Sequence, residues 1–315
     1  MSIFGAAMRG FGATLAAPRI LVGLWLVSLL FALPFAALVG RAIGESIGAS
    51  RVHEELRRGF DGGWYGEFAH RADGLAASFR PTVIGATAFY DNLEDWVAGT
   101  LFVEYPEVVA AGAAWAVLWV FLLGGVLDRF ARPAESAVRG RFAQAGGIYF
   151  FRFLRLALLS GVLYLGIYLL HRLLLGWLEY LTRDATREWT VLWLTLALYL
   201  LTALLLTLVQ MTFAYAKIAT VVENRASIFP SALRGLRFVA GFPAKTLGLQ
   251  FGLAAVSLLL LVVYSWLAPG PGQSGVPAIA LAFLAGQAHL FTKLTLRLTS
   301  YGAATALFKS LAPRS

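Results

Sequence analysis

The sequence predicts an all-α polytopic membrane bundle with six transmembrane helices, and three observations carry that prediction. The chain is 59% hydrophobic and 14% charged over 315 residues, with a mean hydropathy of +0.73, too apolar for a water-exposed surface around a soluble core. Six apolar segments, at 20–40, 108–127, 153–171, 189–216, 246–268 and 277–296, each match the ~20 residues needed to cross hydrocarbon. Their Leu, Ala and Val runs lack the alternation of membrane β-strands, which leaves helices to satisfy the backbone in lipid. Residues 1–315 read as a single integral membrane domain.

The elements follow in order. Ser2-Ile3-Phe4-Gly5-Ala6-Ala7-Met8-Arg9-Gly10 is an amphipathic stretch ahead of Pro18 and the first apolar run, whose 21 uncharged residues (20–40) exceed the usual signal-peptide core and read as a retained span. Residues 41–107, with 11 acidic and 6 basic side chains, form a small helical external cap. Asp61-Gly62-Gly63 punctuates it, and after Pro81 an amphipathic helix places Val83, Ile84, Ala88, Leu93, Trp96 and Val97 near one face.

The segment 128–152 is basic and contains Ser136-Ala137-Val138-Arg139-Gly140, while 172–188 reads as a loop of balanced charge. Ser227-Ile228-Phe229-Pro230-Ser231-Ala232-Leu233-Arg234-Gly235 matches the first stretch without a gap, and Pro243 falls where Pro18 does. The uncharged turn Pro269–Gly275 joins the last two spans.

These three amphipathic elbows, each with Arg-Gly at its end, mark three possible repeat units of an elbow and two spans, at 2–127, 131–216 and 226–308. Convergent composition at a membrane interface accounts for the same pattern. Lys and Arg set the orientation: alternate sides hold 17 basic with 3 acidic residues and 9 basic with 14 acidic, which returns the net +9. The basic side is cytoplasmic by the positive-inside rule, so both termini are cytoplasmic and 41–107 is extracytoplasmic.

Chemistry-bearing residues are few. There is no cysteine, hence no disulfide, thiolate metal site or cysteine nucleophile. HExxH and Walker A motifs are absent, which leaves those enzyme classes unsupported. The stretches 20–40, 108–127, 156–170, 189–216 and 246–268 carry no Asp, Glu, Lys, Arg or His, against a proton-coupled pump or an intramembrane aspartyl protease. The cap's Glu67 and His70 make one Glu-x-x-His with no partner motif, too few ligands for a metal. The expectation is therefore a non-enzymatic protein with no cofactor and no metal. The net charge, distributed by topology, points to lipid phosphate rather than nucleic acid.

His289, Lys293 and Arg297 stand at i, i+4 and i+8 on the last span, one face of one helix. Counting ~1.5 Å per residue from Pro277 puts His289 about 18 Å and Lys293 about 24 Å along it. Two readings stand: a path for an anionic ligand such as a lipid headgroup, or snorkelling of Lys293 and Arg297 with His289 hydrogen-bonded inside the bundle. Arg139, Arg234 and Arg237 in the elbows are the other candidate lipid contacts, since Leu233, Leu236 and Ala240 share one helical face and the arginines another.

Gly124–Ala131, the run Tyr149–Leu156 and the segment 287–308 resemble a group of bacterial multi-pass inner-membrane proteins. Ala219-Thr220-Val221-Val222-Glu223 followed by Ala232-Leu233-Arg234 is similar to the membrane domain found beside some glycerophosphodiester phosphodiesterases. The resemblance covers about the last two thirds of the chain and has no catalytic motif. It implies a bacterial inner-membrane setting and a lipid connection, not an activity. The functional expectation is a scaffold or accessory component that engages phospholipids or a membrane-protein partner; the alternative is a transporter or lipid-handling protein with an anionic-ligand path beside the last helix.

Overall fold

The computed structural model describes residues 1–48, 61–80, 95, 99, 103–134, 140–183, 187–268 and 275–312. Among them the chain is helical: α1 (Ile3–Leu15), α2 (Pro18–Ile47), α3 (Gly62–Arg71), a 3₁₀ turn (Gly74–Ser78), α4 (Pro106–Ala131), α5 (Arg141–Leu181), α6 (Glu188–Val222), α7 (Ile228–Gly241), α8 (Pro243–Leu267) and α9 (Val276–Leu311). Six of these, α2, α4, α5, α6, α8 and α9, are long and apolar enough to span a bilayer. The protein is a multi-pass helical membrane protein.

Two elements follow directly from local sequence. Pro18 and Pro243 open α2 and α8, where a missing N–H costs nothing because the first helical turn lacks acceptors anyway. In the cap, the Asp61 carboxylate accepts from the Gly63 and Trp64 amides at 2.8 and 3.2 Å and caps α3. The expected cap helix after Pro81 falls outside the described residues, apart from Asp95, which pairs with Arg80 at 3.0 Å.

The helices outrun the apolar segments. α5 extends from Arg141 to Leu181, so most of the expected loop at 172–188 is helix, and the basic aromatic run before the third span is continuous with it. Leu173, Trp177, Leu178 and Leu181 carry the apolar pattern past His171 and Arg172, into the headgroup layer that adds about 10–15 Å to the hydrocarbon thickness.

The chain divides into two compact units, Met1–Gly10 with Val120–Gln250 and Ser300–Ser315, and Phe11–Trp119 with Phe251–Thr299. The first unit has a filled core built on Leu127, Phe153, Leu156, Ile218, Leu307 and Phe308. Tyr215, Phe238 and Phe308 interlock there, with ring centroids 4.7 Å apart for the first two and 4.8 Å for the last two.

Three close crossings organise this first unit. A Cβ on Gly302 of α9 would lie 3.0 Å from Gly10 Cα in α1. One on Gly124 of α4 would lie 3.0 Å from Gly146 Cα in α5, and one on Gly235 of α7 would lie 2.2 Å from the Thr212 carbonyl oxygen in α6. At two of these crossings an elbow helix meets a span, α1 on α9 and α7 on α6, and the third joins α4 to α5.

The elbows α1 and α7 also bury equivalent positions. Ala6, Gly10 and Thr14 are buried in one, and Ser231, Gly235 and Val239 in the other, followed by Leu21 and Leu24 against Thr246 and Leu249. Opposite that buried stripe, Phe4, Met8 and Phe11 are exposed in α1, as are Phe229, Leu233 and Leu236 in α7. Gly140 does not share this geometry. It precedes α5 with φ 78° and has open space where a side chain would go, and Gly146 stands at the crossing instead.

In the second unit, Leu21, Leu24 and Leu294 are buried, and the Trp25 indole donates to Gln287 Oε1 at 3.1 Å. Phe31 packs on Trp115, with centroids 5.1 Å apart, and Trp115 packs on Trp119 at 6.0 Å.

Candidate functional site: a cationic groove on α9

The longest-range polar organisation of the first unit is a set of closed pairs. Asp128, wholly buried near the end of α4, accepts from Arg132 at 2.7 Å and from Arg141 at 3.0 Å. Arg132 also donates to the Tyr149 hydroxyl at 3.2 Å and to the Val221 carbonyl at 2.9 Å. Its pKa is raised above the ordinary arginine value, chiefly by the Tyr149 hydrogen bond, against the opposing cost of burial. Glu223 is shared by Arg225 and Arg234, the latter at 3.0 Å, and Lys309 donates to the Ala131 carbonyl at the end of α4.

Arg234 therefore has a partner within the protein. Besides Glu223, its guanidinium lies 6.0 Å from the centroid of the Phe308 ring, rather than standing free for lipid phosphate. The cause is its place on α7, next to the buried stripe of Ser231 and Gly235 that turns it toward α6. Arg237, three residues on, is exposed. Arg139 lies outside the described residues.

Lys293 and Arg297 are placed differently. In the second unit they line a cavity of ≈ 340 Å³ with Ser28, Phe31 and Ala32 of α2, Trp115 and Trp119 of α4, and Leu290 and Leu294 of α9. The Arg297 guanidinium sits 3.8 Å from the Trp119 ring centroid, a cation–π contact. Among the described residues neither cation has a carboxylate partner and no acidic side chain lines the cavity. The Trp119 indole N–H is buried without an acceptor among the described residues.

The level of this groove follows from its other walls. Ser28, Phe31 and Ala32 fall in the middle of the uncharged run 20–40, and Trp115 and Trp119 in the middle of 108–127. Lys293 and Arg297 are thereby level with the centres of two membrane spans. The count from Pro277 put Lys293 nearer one edge, because it assumed that the last span begins at the membrane boundary. α9 has 36 residues, about 54 Å at ~1.5 Å each, so packing against α2 and α4 decides the depth and its own composition does not.

His289 lies one turn further along α9, outside the cavity lining. Its ring is stacked on Tyr264 of α8, with centroids 4.1 Å apart and planes 16° from parallel. The groove combines Lys293 and Arg297 from the predicted stripe with three aromatic walls that no sequence spacing linked to them. The signal that singles out Trp115 and Trp119 is their i, i+4 spacing in the middle of a span, since tryptophan is more usual at membrane interfaces.

The fold and the groove define a class: a six-span membrane protein with an intramembrane cationic groove. No protein family, curated protein or solved structure matches the chain.

Proposed function

We propose that this is a non-enzymatic lipid-handling membrane protein, and that the groove between α2, α4 and α9 receives the head of an anionic amphiphile. The observation that carries this reading is the pair Lys293 and Arg297, level with mid-span positions of α2 and α4 and without a carboxylate partner among the described residues. An unpaired charge at that depth is costly in the empty protein, and an anionic head lowers the cost while the apolar walls accept its chain. The likeness to the phosphodiesterase-associated membrane domain adds a lipid connection of the same kind. In this reading the protein resides in the bacterial inner membrane with both termini cytoplasmic.

The scaffold reading draws on a separate observation. The exposed apolar faces of α1 and α7, carrying Phe4, Met8 and Phe11 and Phe229, Leu233 and Leu236, suit helices lying in a membrane interface.

One experiment separates the two. Purified protein in vesicles of phosphatidylcholine with a fluorescent phosphatidylglycerol is assayed for movement of the labelled lipid between leaflets. Movement that the double variant Lys293→Ala/Arg297→Ala loses while remaining folded supports lipid handling. Equal movement with the wild type and the variant removes the groove from lipid handling, and no movement with either leaves the scaffold.

A further inference from the structure

We infer that the head received by the groove carries two negative charges: a phosphomonoester on an apolar chain rather than a phosphodiester. The inference rests on the lipid-handling reading above and names the class of its ligand.

Charge balance is the first argument. Among the described residues the cavity presents two cationic side chains and no acid, and Ser28 is the only other polar side chain there outside the tryptophans. A phosphodiester head brings one negative charge and leaves one cation uncompensated in a low-dielectric setting. A phosphomonoester approaches two negative charges at neutral pH, its second pKa being about 6, and matches the pair.

Geometry is the second. Lys293 and Arg297 are one helical turn apart, about 6 Å along α9, a separation that one tetrahedral phosphate spans while accepting a charge-assisted hydrogen bond of about 2.8 Å from each. A monoester has three terminal oxygens for this and a diester two.

The walls supply the third argument. Phe31, Ala32, Leu290 and Leu294 join the two tryptophans around the cations, which favours a phosphate attached to hydrocarbon over a free ion.

The test is native mass spectrometry of the intact protein from nanodiscs containing equal amounts of phosphatidic acid and phosphatidylglycerol. The wild type should retain phosphatidic acid at least about tenfold over phosphatidylglycerol. Lys293→Ala should bring the ratio near one while still holding phosphatidylglycerol, and Lys293→Arg, which keeps both charges, should preserve the preference. Equal retention of the two lipids by the wild type, lost in Lys293→Ala/Arg297→Ala, overturns the dianion inference and leaves the groove reading intact. Identical retention by the wild type and the double variant overturns the groove reading itself. Displacement of phosphatidic acid by excess inorganic phosphate overturns the requirement for a chain.

Discussion

At Asp128 and at Glu223 each carboxylate collects two guanidinium groups, whereas in the groove Lys293 and Arg297 share three helices with no carboxylate. Asp128 is wholly buried and each guanidinium that reaches it finds a carboxylate oxygen, within a unit whose three glycine crossings bring backbones into close approach. The groove instead has volume, aromatic walls and two cations with no carboxylate among the described residues that line it. Paired ions hold helices in register, and unpaired ions in an open groove need a counter-charge from outside the chain. On the proposed function, the difference separates cations that serve the fold from cations that serve a ligand.

The sharpest way to break this comparison is at Asp128. Asp128→Ala leaves Arg132 and Arg141 without their shared carboxylate, and removing one partner of a buried pair costs about 3–5 kcal/mol. Thermal unfolding in detergent should show the largest loss of any variant here. A melting temperature like that of the wild type would mean that the network is ornamental.

Gly235→Ala comes next. Its Cβ would meet the Thr212 carbonyl oxygen at 2.2 Å, so α6 and α7 must separate, at the ~1–3 kcal/mol typical of overpacking. Gly241→Ala, with nothing within 4 Å, should be neutral in the same unfolding assay. Equal effects at the two glycines would show that the crossing is looser than its geometry.

A neutral hydrogen bond between spans should matter less. His171 Nδ1 and Thr202 Oγ1 are 2.9 Å apart between α5 and α6, and the Thr202 hydroxyl donates to the Leu198 carbonyl, so the imidazole N–H is the donor. Thr202→Val should cost about 0.6 kcal/mol, the average for such bonds in a bilayer, read as a small shift in a denaturant titration.

Least affected should be Lys293→Ala with Arg297→Ala. Neither cation has an ion pair to lose among the described residues, and removing two unpaired charges at mid-span offsets the lost contact of Arg297 with Trp119, so stability should not fall below that of the wild type while retention of anionic lipid falls. A loss as large as that of Asp128→Ala would place the pair with the structural cations and end the comparison.

Much of this architecture was legible in the sequence. The elbow at 2–10 and its counterpart at 227–235 became α1 and α7, and their shared register reappears in which residues are buried. The third elbow was legible as a composition but not as a position: Gly140 has the Arg-Gly signature, and Gly146 makes the crossing. A dipeptide records local chemistry, while a crossing depends on which face meets another helix. The groove was half legible, since the i, i+4 spacing joins Lys293 to Arg297 and nothing local joins them to Trp119.

The sequence by itself determined that the chain crosses a membrane as helices, how many spans it has and where prolines start them. Hydrocarbon thickness and the need to satisfy the backbone act on each segment alone, so composition is enough. Only the tertiary structure decided which cations are spent inside the protein. Arg234 finds Glu223, Arg132 finds Asp128 and the Val221 carbonyl, and Lys293 finds no acid, because pairing depends on distances between residues that the chain order keeps apart.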